Sequence, residues 1–431
     1  MAKQKRVLLI SYYWPPCGGV AIFRPLMMAK HLQRLGWDVT VYTAKDAFYP
    51  SLDYGTEIPD GVQVIEGKIW EPYKLFKRFA GRKKEDSANP VYVRDRKFSW
   101  KDRLSIWIRG NLFIPDARKY WIAPSVKRLT THLEKRPVDV IISTGPPHSS
   151  NMIGLGVSKA TQTPLLVDFQ DPWTQVDYYQ MLKISKWADR KHRAMEQKLF
   201  EGASAITIAS PSWAKDLEQI GAKHVIPLLL GYEESELSGL DSHRDMFRIV
   251  HAGILGYDRA PSTLLKVIAE ICQENPVFKN HLELLFAGVV DVGVKEEISK
   301  LELDPHTTYT GNVEKHEALQ YNMDASILLL PLNKADNVRG RIPGKLYENL
   351  RTGNPILCLG PKKTDVSEII EHCNAGQTFD YKDHQGIKAF ILKRYQDWRR
   401  GENPEPATNV MQYDVSCQME KLSELLHNIC S

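Results

Sequence analysis

Residues 325–359 read ASILLLPLNKADNVRGRIPGKLYENLRTGNPILCL. The apolar run at 325–330 predicts a strand, and a second run at 355–359 predicts another. Between them lie a loop of Arg, Gly and Pro and a helical segment at 344–352, which Gly353 stops. Strand, helix and strand in that order predict a parallel sheet, because parallel neighbours need a crossover connection. The loop carries chemistry as well. A helix starting near Gly344 offers free amides and a partial positive charge. Lys345 adds a full one, and together they suit an anionic diphosphate. Glu348 stands about one turn further on, where a carboxylate suits two ribose hydroxyls. The plainer alternative is a surface Lys345–Glu348 pair, worth roughly 0.2–0.5 kcal/mol.

The same alternation fills the rest of the chain. Strands are expected at 247–252, 282–287 and 308–310, with helices at 262–274, 314–322 and 365–373 and an amphipathic helix at 415–429. In the first half, strands at 6–11, 38–43, 62–65, 138–143, 165–169 and 205–209 alternate with helices at 23–35, 118–134, 148–160, 180–200 and 212–220. Apolar strands flanked by polar helices belong in a sheet covered on both faces. The polar stretch 231–244 reads as a linker. The expectation is an α/β protein of two Rossmann-like domains facing a cleft, at 1–234 and 235–410, with a helix at 411–431.

Composition excludes other classes. A chain of 431 residues can bury two or three cores, and 43% apolar with 25% charged residues is ordinary for a globular protein. No run approaches the roughly 18 apolar residues of a membrane span. The apolar stretch at 7–10 is too short for a secretion signal, so a cytoplasmic protein is expected. Six scattered cysteines without CxxC spacing argue against structural zinc and a disulfide scaffold. The net charge of +5 is unevenly placed: 68–111 holds 13 Lys/Arg against 5 Asp/Glu, interleaved with Trp70, Trp100 and Trp107. Such an insertion suits a membrane surface or a lipid-linked substrate, with a solvated loop as the alternative and nucleic acid the least favoured partner.

Three strand ends in the first half hold candidate ligand groups. Gly18-Gly19 after the first strand would let the backbone approach a ligand, or would simply form a tight turn. No GxGxxG accompanies it, which disfavours a dinucleotide-dependent dehydrogenase. His148, in Gly145-Pro146-Pro147-His148-Ser149, would contact a substrate hydroxyl or, with Ser149, cap the following helix. Asp168 and Asp171, in Asp168-Phe169-Gln170-Asp171-Pro172-Trp173, lie at the ligand-binding edge of the sheet, where either would stabilise a cationic transition state or anchor a salt bridge.

Taken together, these ordered motifs resemble the GT-B glycosyltransferases, in particular the retaining family 4 type of bacteria. The likeness runs from Gly18-Gly19 through His148 and Asp168–Trp173 to Lys345-Leu346-Tyr347-Glu348 and Gly353–Leu359. It implies an acceptor-binding first domain, a donor-binding second domain and a terminal helix that returns to the first. It implies that Glu348 binds ribose, that Lys345 and the amides of Gly344 and Leu346 bind diphosphate, and that Val313 contacts the base through its backbone. Gly253 and Arg259 then correspond to the phosphate loop of the donor domain, while Asp171, His148 and Asp168 stand near the transferred sugar. Neither metal nor cofactor is implied, the nucleotide sugar being a substrate. Three positions depart from the pattern. Gly340 stands where relatives carry a first glutamate, Ile254 where many carry arginine, and Gln170-Asp171 where many carry histidine. The expected reaction is transfer of a sugar from a nucleotide-diphosphate sugar to a glycan or polyprenyl-linked acceptor in polysaccharide synthesis, peripheral to the inner membrane face. A non-hydrolysing nucleotide-sugar epimerase and a non-catalytic sugar-nucleotide binder are the alternatives.

Overall fold

The computed structural model describes residues 4–71, 100–237, 239–334 and 337–430. Most of the basic insertion expected at 68–111, namely 72–99, lies outside the described residues.

The chain forms two compact units, one running to Leu229 and including the residues from Ser416 onward, the other Leu230–Val415. The first is built on a parallel sheet of seven strands: β1 (Arg6–Ile10), β2 (Asp38–Lys45), β3 (Gln63–Lys68), β4 (Val140–Gly145), β5 (Leu165–Phe169), β6 (Ala205–Ile208) and β7 (Val225–Pro227). Their order is β3-β2-β1-β4-β5-β6-β7. The second holds β8 (Phe247–Ala252), β9 (Leu282–Ala287), β10 (Thr307–Gly311), β11 (Ile327–Pro331), β12 (Ile356–Leu359) and β13 (Gly376–Phe379), ordered β10-β9-β8-β11-β12-β13. Central strands such as β4, β5, β11 and β12 are buried along their whole length, which is why they read as unbroken apolar runs.

Each order reverses once, between β1 and β4 in the first unit and between β8 and β11 in the second. The crossovers diverge at such a switch point and leave a crevice at the carboxyl ends of the two strands, where doubly wound sheets bind ligands. That edge presents the loops after β1 and β4 in one unit and after β8 and β11 in the other.

Several expectations shift. The residues read as a linker are built into the second unit: Tyr232 donates its amide to Tyr413 O and accepts from the Val415 amide, at 3.0 and 2.9 Å. The boundaries therefore fall at 229/230 and 415/416 rather than 234/235 and 410/411. The terminal helix Val415–Ile429 lies with the first unit, where Trp37 Nε1 donates to Ser423 Oγ at 2.9 Å and stacks near His427. Two edge strands, β7 and β13, escape the sequence pattern because three and four residues are too few to show a periodicity. At Gly376 the backbone takes φ 152°, and a Cβ would meet Ile356 O at 2.0 Å, so the position requires glycine. Among the described residues no helix is long and apolar enough to cross a membrane, and all six cysteines are free thiols.

Candidate functional site

In the second unit, the loop after β8 and the loop after β11 converge on Lys345. His251, at the end of β8, is 1% exposed, and its Nδ1 lies 3.0 Å from Leu329 O. A carbonyl can only accept, so Nδ1 carries the proton and the Nε2 lone pair faces Lys345 Nζ at 3.5 Å. Burial, with Lys345 and then Arg259 nearby, pushes the His251 imidazole down to about 3, so it is neutral at pH 7. Gly253 makes the approach possible: it takes φ 118°, and a Cβ there would stand 2.7 Å from Lys345 Nζ. Lys345 itself is drawn down to about 8, first by burial and then by the Arg259 cation, against the pull of Glu348. Arg259 pairs at 3.3 Å with its neighbour Asp258, which also accepts from Asn333 Nδ2 at 2.7 Å.

The helix Lys345–Thr352 begins at Gly344 without a side-chain cap. The amides of Gly344 and Lys345 have no hydrogen-bond partner among the described residues, as the first turn of a helix requires unless something else binds there. The Leu346 amide, expected to bind diphosphate, is already committed. It donates to Pro343 O at 2.9 Å in a tight first turn, and the side chain is fully buried.

Glu348 does not form the surface pair with Lys345 that its spacing allows. Its Oε1 lies 3.6 Å from Lys315 Nζ, and Lys315 also binds Glu236 from the segment read as a linker. Burial raises the Glu348 carboxyl above its ordinary range, Lys315 opposes that rise, and Glu236 adds to it. Val313 is half-buried in the loop between β10 and the helix Lys315–Met323. Gly340 is buried at the end of a short 3-10 turn, Val338–Gly340, and Ile254 is 64% exposed.

In the first unit the three motifs separate into different roles. Asp168 is fully buried on β5 and accepts from Arg24 Nε and Nη2, at 2.9 and 2.6 Å, and from the hydroxyls of Thr144 and Thr207. Its oxygens are occupied, so Asp168 is the salt-bridge anchor and not a catalytic group. Gly18 also departs from expectation. Its amide donates to Ser51 O at 3.0 Å, and a Cβ would sit 3.1 Å from Ser51 Oγ, so the close approach is to the chain's own 51–53 segment rather than to a ligand. Gly19 takes φ 88° to start the turn Val20–Ile22.

His148 and the Asp171 loop are brought together. The His148 ring stacks on Trp173 at 4.5 Å, and burial, with His192 nearby, lowers it to about 3. Its Nδ1 is buried with no hydrogen-bond partner among the described residues. It is not the helix cap: Asp116 fills that role, accepting from the Ser149 amide and hydroxyl at 2.8 and 2.9 Å. Asp171 is half-buried two residues before Trp173, on a loop tied back by the Gln170 amide to Gly145 O at 2.7 Å. Sequence reasoning assigned no role to His251, Asp116, Lys315 or Arg24. The first is visible only as a polar residue inside an apolar strand, and the others act across 33 to 144 positions.

Two doubly wound units, each with a single reversal of strand order, have the GT-B fold. Residues 18–228 match the glycosyl transferase 4-like domain. Sucrose-phosphate synthase from Thermosynechococcus elongatus is similar in structure, with TM-score 0.56, 14% identity, and 99% of this chain and 96% of that one covered. A trehalose-6-phosphate protein from E. coli bound with UDP-2-fluoro glucose gives TM-score 0.56 at 8% identity, covering 98% and 99%. A putative UDP-N-acetylglucosamine 2-epimerase from Listeria monocytogenes gives TM-score 0.51 at 11% identity, covering 97% and 95%. The curated protein sequences give no match.

Proposed function

We propose that this protein transfers a sugar from a nucleotide-diphosphate sugar to a glycan or lipid-linked acceptor in polysaccharide synthesis, with retention at the anomeric carbon and without a metal ion. The second unit takes the donor and the first the acceptor, at the cytoplasmic side of a membrane. As the bond from sugar to diphosphate breaks, negative charge gathers on the leaving group. Lys345, Arg259 and the amides of Gly344 and Lys345 stabilise that charge, and Gly253 leaves room for it. Glu348 accepts from ribose hydroxyls, and the backbone at Val313 meets the base. Asp171 and the neutral imidazole of His148 orient the sugar as positive charge develops at its ring. Gly19 sets the turn that starts the first helix of the acceptor unit.

One observation carries this reading. Lys345 is a half-buried cation whose single polar partner among the described residues is a neutral imidazole, with a second cation beside it and two amides that have no partner among those residues. Such an arrangement is incomplete until an anion enters. The fold shared with the E. coli protein bound with UDP-2-fluoro glucose supports a nucleotide-sugar donor.

Melting-temperature shifts with UDP, GDP, dTDP and their sugars identify the donor, because binding to the native state raises stability. Glu348→Ala is expected to weaken the donor so identified by about fivefold to tenfold in calorimetry. Unchanged affinity and transfer would remove Glu348 from the pocket. The likeness to the Listeria epimerase keeps epimerisation as a second reading, which an altered nucleotide sugar formed without acceptor would establish.

A further inference from the structure

The helix Trp100–Asn111 displays an apolar stripe to solvent. Trp100, Leu104 and Trp107 recur at helical spacing and are 67%, 37% and 42% exposed, and Leu112, just beyond the helix, is 51% exposed. A helix with its apolar side turned outward leaves a surface that some partner covers.

This helix does not stand alone. Asn111 Nδ2 donates to Lys183 O at 3.2 Å, and the Ser185 amide donates to Asn111 Oδ1 at 2.7 Å. Gly110 lies so close to Leu182 O that a Cβ would stand 2.7 Å from it. The stripe is thereby clamped to a second segment about seventy residues further along, which exposes its own large apolar groups, Met181 and Trp187, both at 56%. That segment is strongly basic: 181–193 holds five Lys/Arg against one Asp, and Lys183, Lys186, Arg190 and Lys191 are exposed. Lys191 lies over the Trp187 ring at 5.2 Å. On the other segment, 100–120 holds five Lys/Arg against two Asp, with Arg103 and Arg109 exposed on the helix itself. Asp189 is the acid of the second segment and is committed to Arg193 and Tyr179.

Exposed tryptophans amid exposed lysines and arginines match one kind of partner, a surface that is anionic outside and apolar just beneath. We propose that the clamped pair, Trp100–Leu112 and 181–193, is the face by which this protein docks on an anionic lipid bilayer. The tryptophans and Leu104 enter the headgroup boundary, and the lysines and arginines remain among the phosphates. The inference names a membrane surface for the transferase reading and does not depend on it, since it is read without any sugar or nucleotide.

Cosedimentation with phosphatidylcholine vesicles, with and without phosphatidylglycerol, tests it on the full chain. The protein is expected to pellet with the phosphatidylglycerol vesicles, to be released by high salt, and to stay in solution with phosphatidylcholine alone. Lys186→Gln with Lys191→Gln is expected to lower vesicle partition about thirtyfold at low salt, about fivefold for each lost cation. Leu104→Ser with Trp107→Ser is expected to abolish partition while leaving the melting temperature and UDP-sugar binding unchanged. Binding to both vesicle types alike, or variants that pellet as the parent does, overturns the proposal. So does a drop in melting temperature without a drop in partition, because the stripe is then covered by another part of this chain. A parent dimer that the Leu104/Trp107 variant dissociates, without vesicle binding in either, makes the face a protein interface instead. If vesicle binding holds while no nucleotide sugar shifts the melting temperature, the docking face stands and the transferase reading fails.

Discussion

Arg24 and Lys345 are both cations held at the ligand-binding edge of a parallel sheet, yet their surroundings are opposite. Arg24 is 3% exposed, grips Asp168 through two nitrogens, and gives a third hydrogen bond to Leu228 O. Lys345 is partly open and, among the described residues, meets only the lone pair of a neutral imidazole. A buried charge with every hydrogen bond met is architecture, because it has nothing left to offer a ligand. A charge desolvated without a counter-ion is held in a strained state that an incoming anion relieves, and there the fold has placed chemistry.

That contrast can be broken experimentally. The largest effect is expected from Asp168→Ala, which leaves Arg24 buried without its partner and should cost the first unit about 3–5 kcal/mol in urea unfolding. Near-native stability would mean that the pair is not structural. Acid comes next and acts on both units. His148 and His251 are each lowered to about 3, so the unfolded chain binds more protons than the native one from the ordinary imidazole value of 6.5 down to 3. Stability is then full above pH 6.5 and falls as pH is lowered, by roughly 2 kcal/mol per imidazole at pH 5. A melting temperature that is flat over that range contradicts the burial of both rings.

Lys345→Met should leave stability unchanged or slightly raised while weakening the nucleotide-sugar about tenfold or more, the opposite signature to Asp168→Ala. Affinity should also decline above about pH 8 as Lys345 loses its proton, and Lys345→Met should abolish that decline. The reverse outcome, lower stability with affinity intact, would make Lys345 a structural group like Arg24. The smallest effect is expected at Glu236. Glu236→Gln removes one of two acids facing Lys315 and should strengthen the Lys315–Glu348 pair, lowering the Glu348 carboxyl and changing donor affinity by about twofold, seen as a shifted acid limb of binding.

Much of the architecture was legible because it follows from local pattern. The strands at 165–169, 247–252 and 282–287 read from the chain match β5, β8 and β9, since strands covered on both faces must be apolar throughout. The edge strands β7 and β13 were invisible because three and four residues are too few to carry a pattern. Asp168 and Asp171 look alike in the chain, three residues apart on one strand end. Only the arrival of Arg24 from 144 positions away separates them. The Leu346 amide is not free, as a regular first helical turn would leave it, because it closes a tighter turn on Pro343 O.

The sequence by itself determined two alternating α/β halves, the βαβ unit around Lys345 and the uneven placing of positive charge, because periodicity, caps and composition are properties of neighbouring residues. The tertiary structure alone decided which charges are satisfied. It joined Trp100–Leu112 to 181–193, set His251 against Lys345, and gave Asp168 to Arg24. Solvation and pairing depend on what distant segments bring to the same few ångströms, and no local pattern records that.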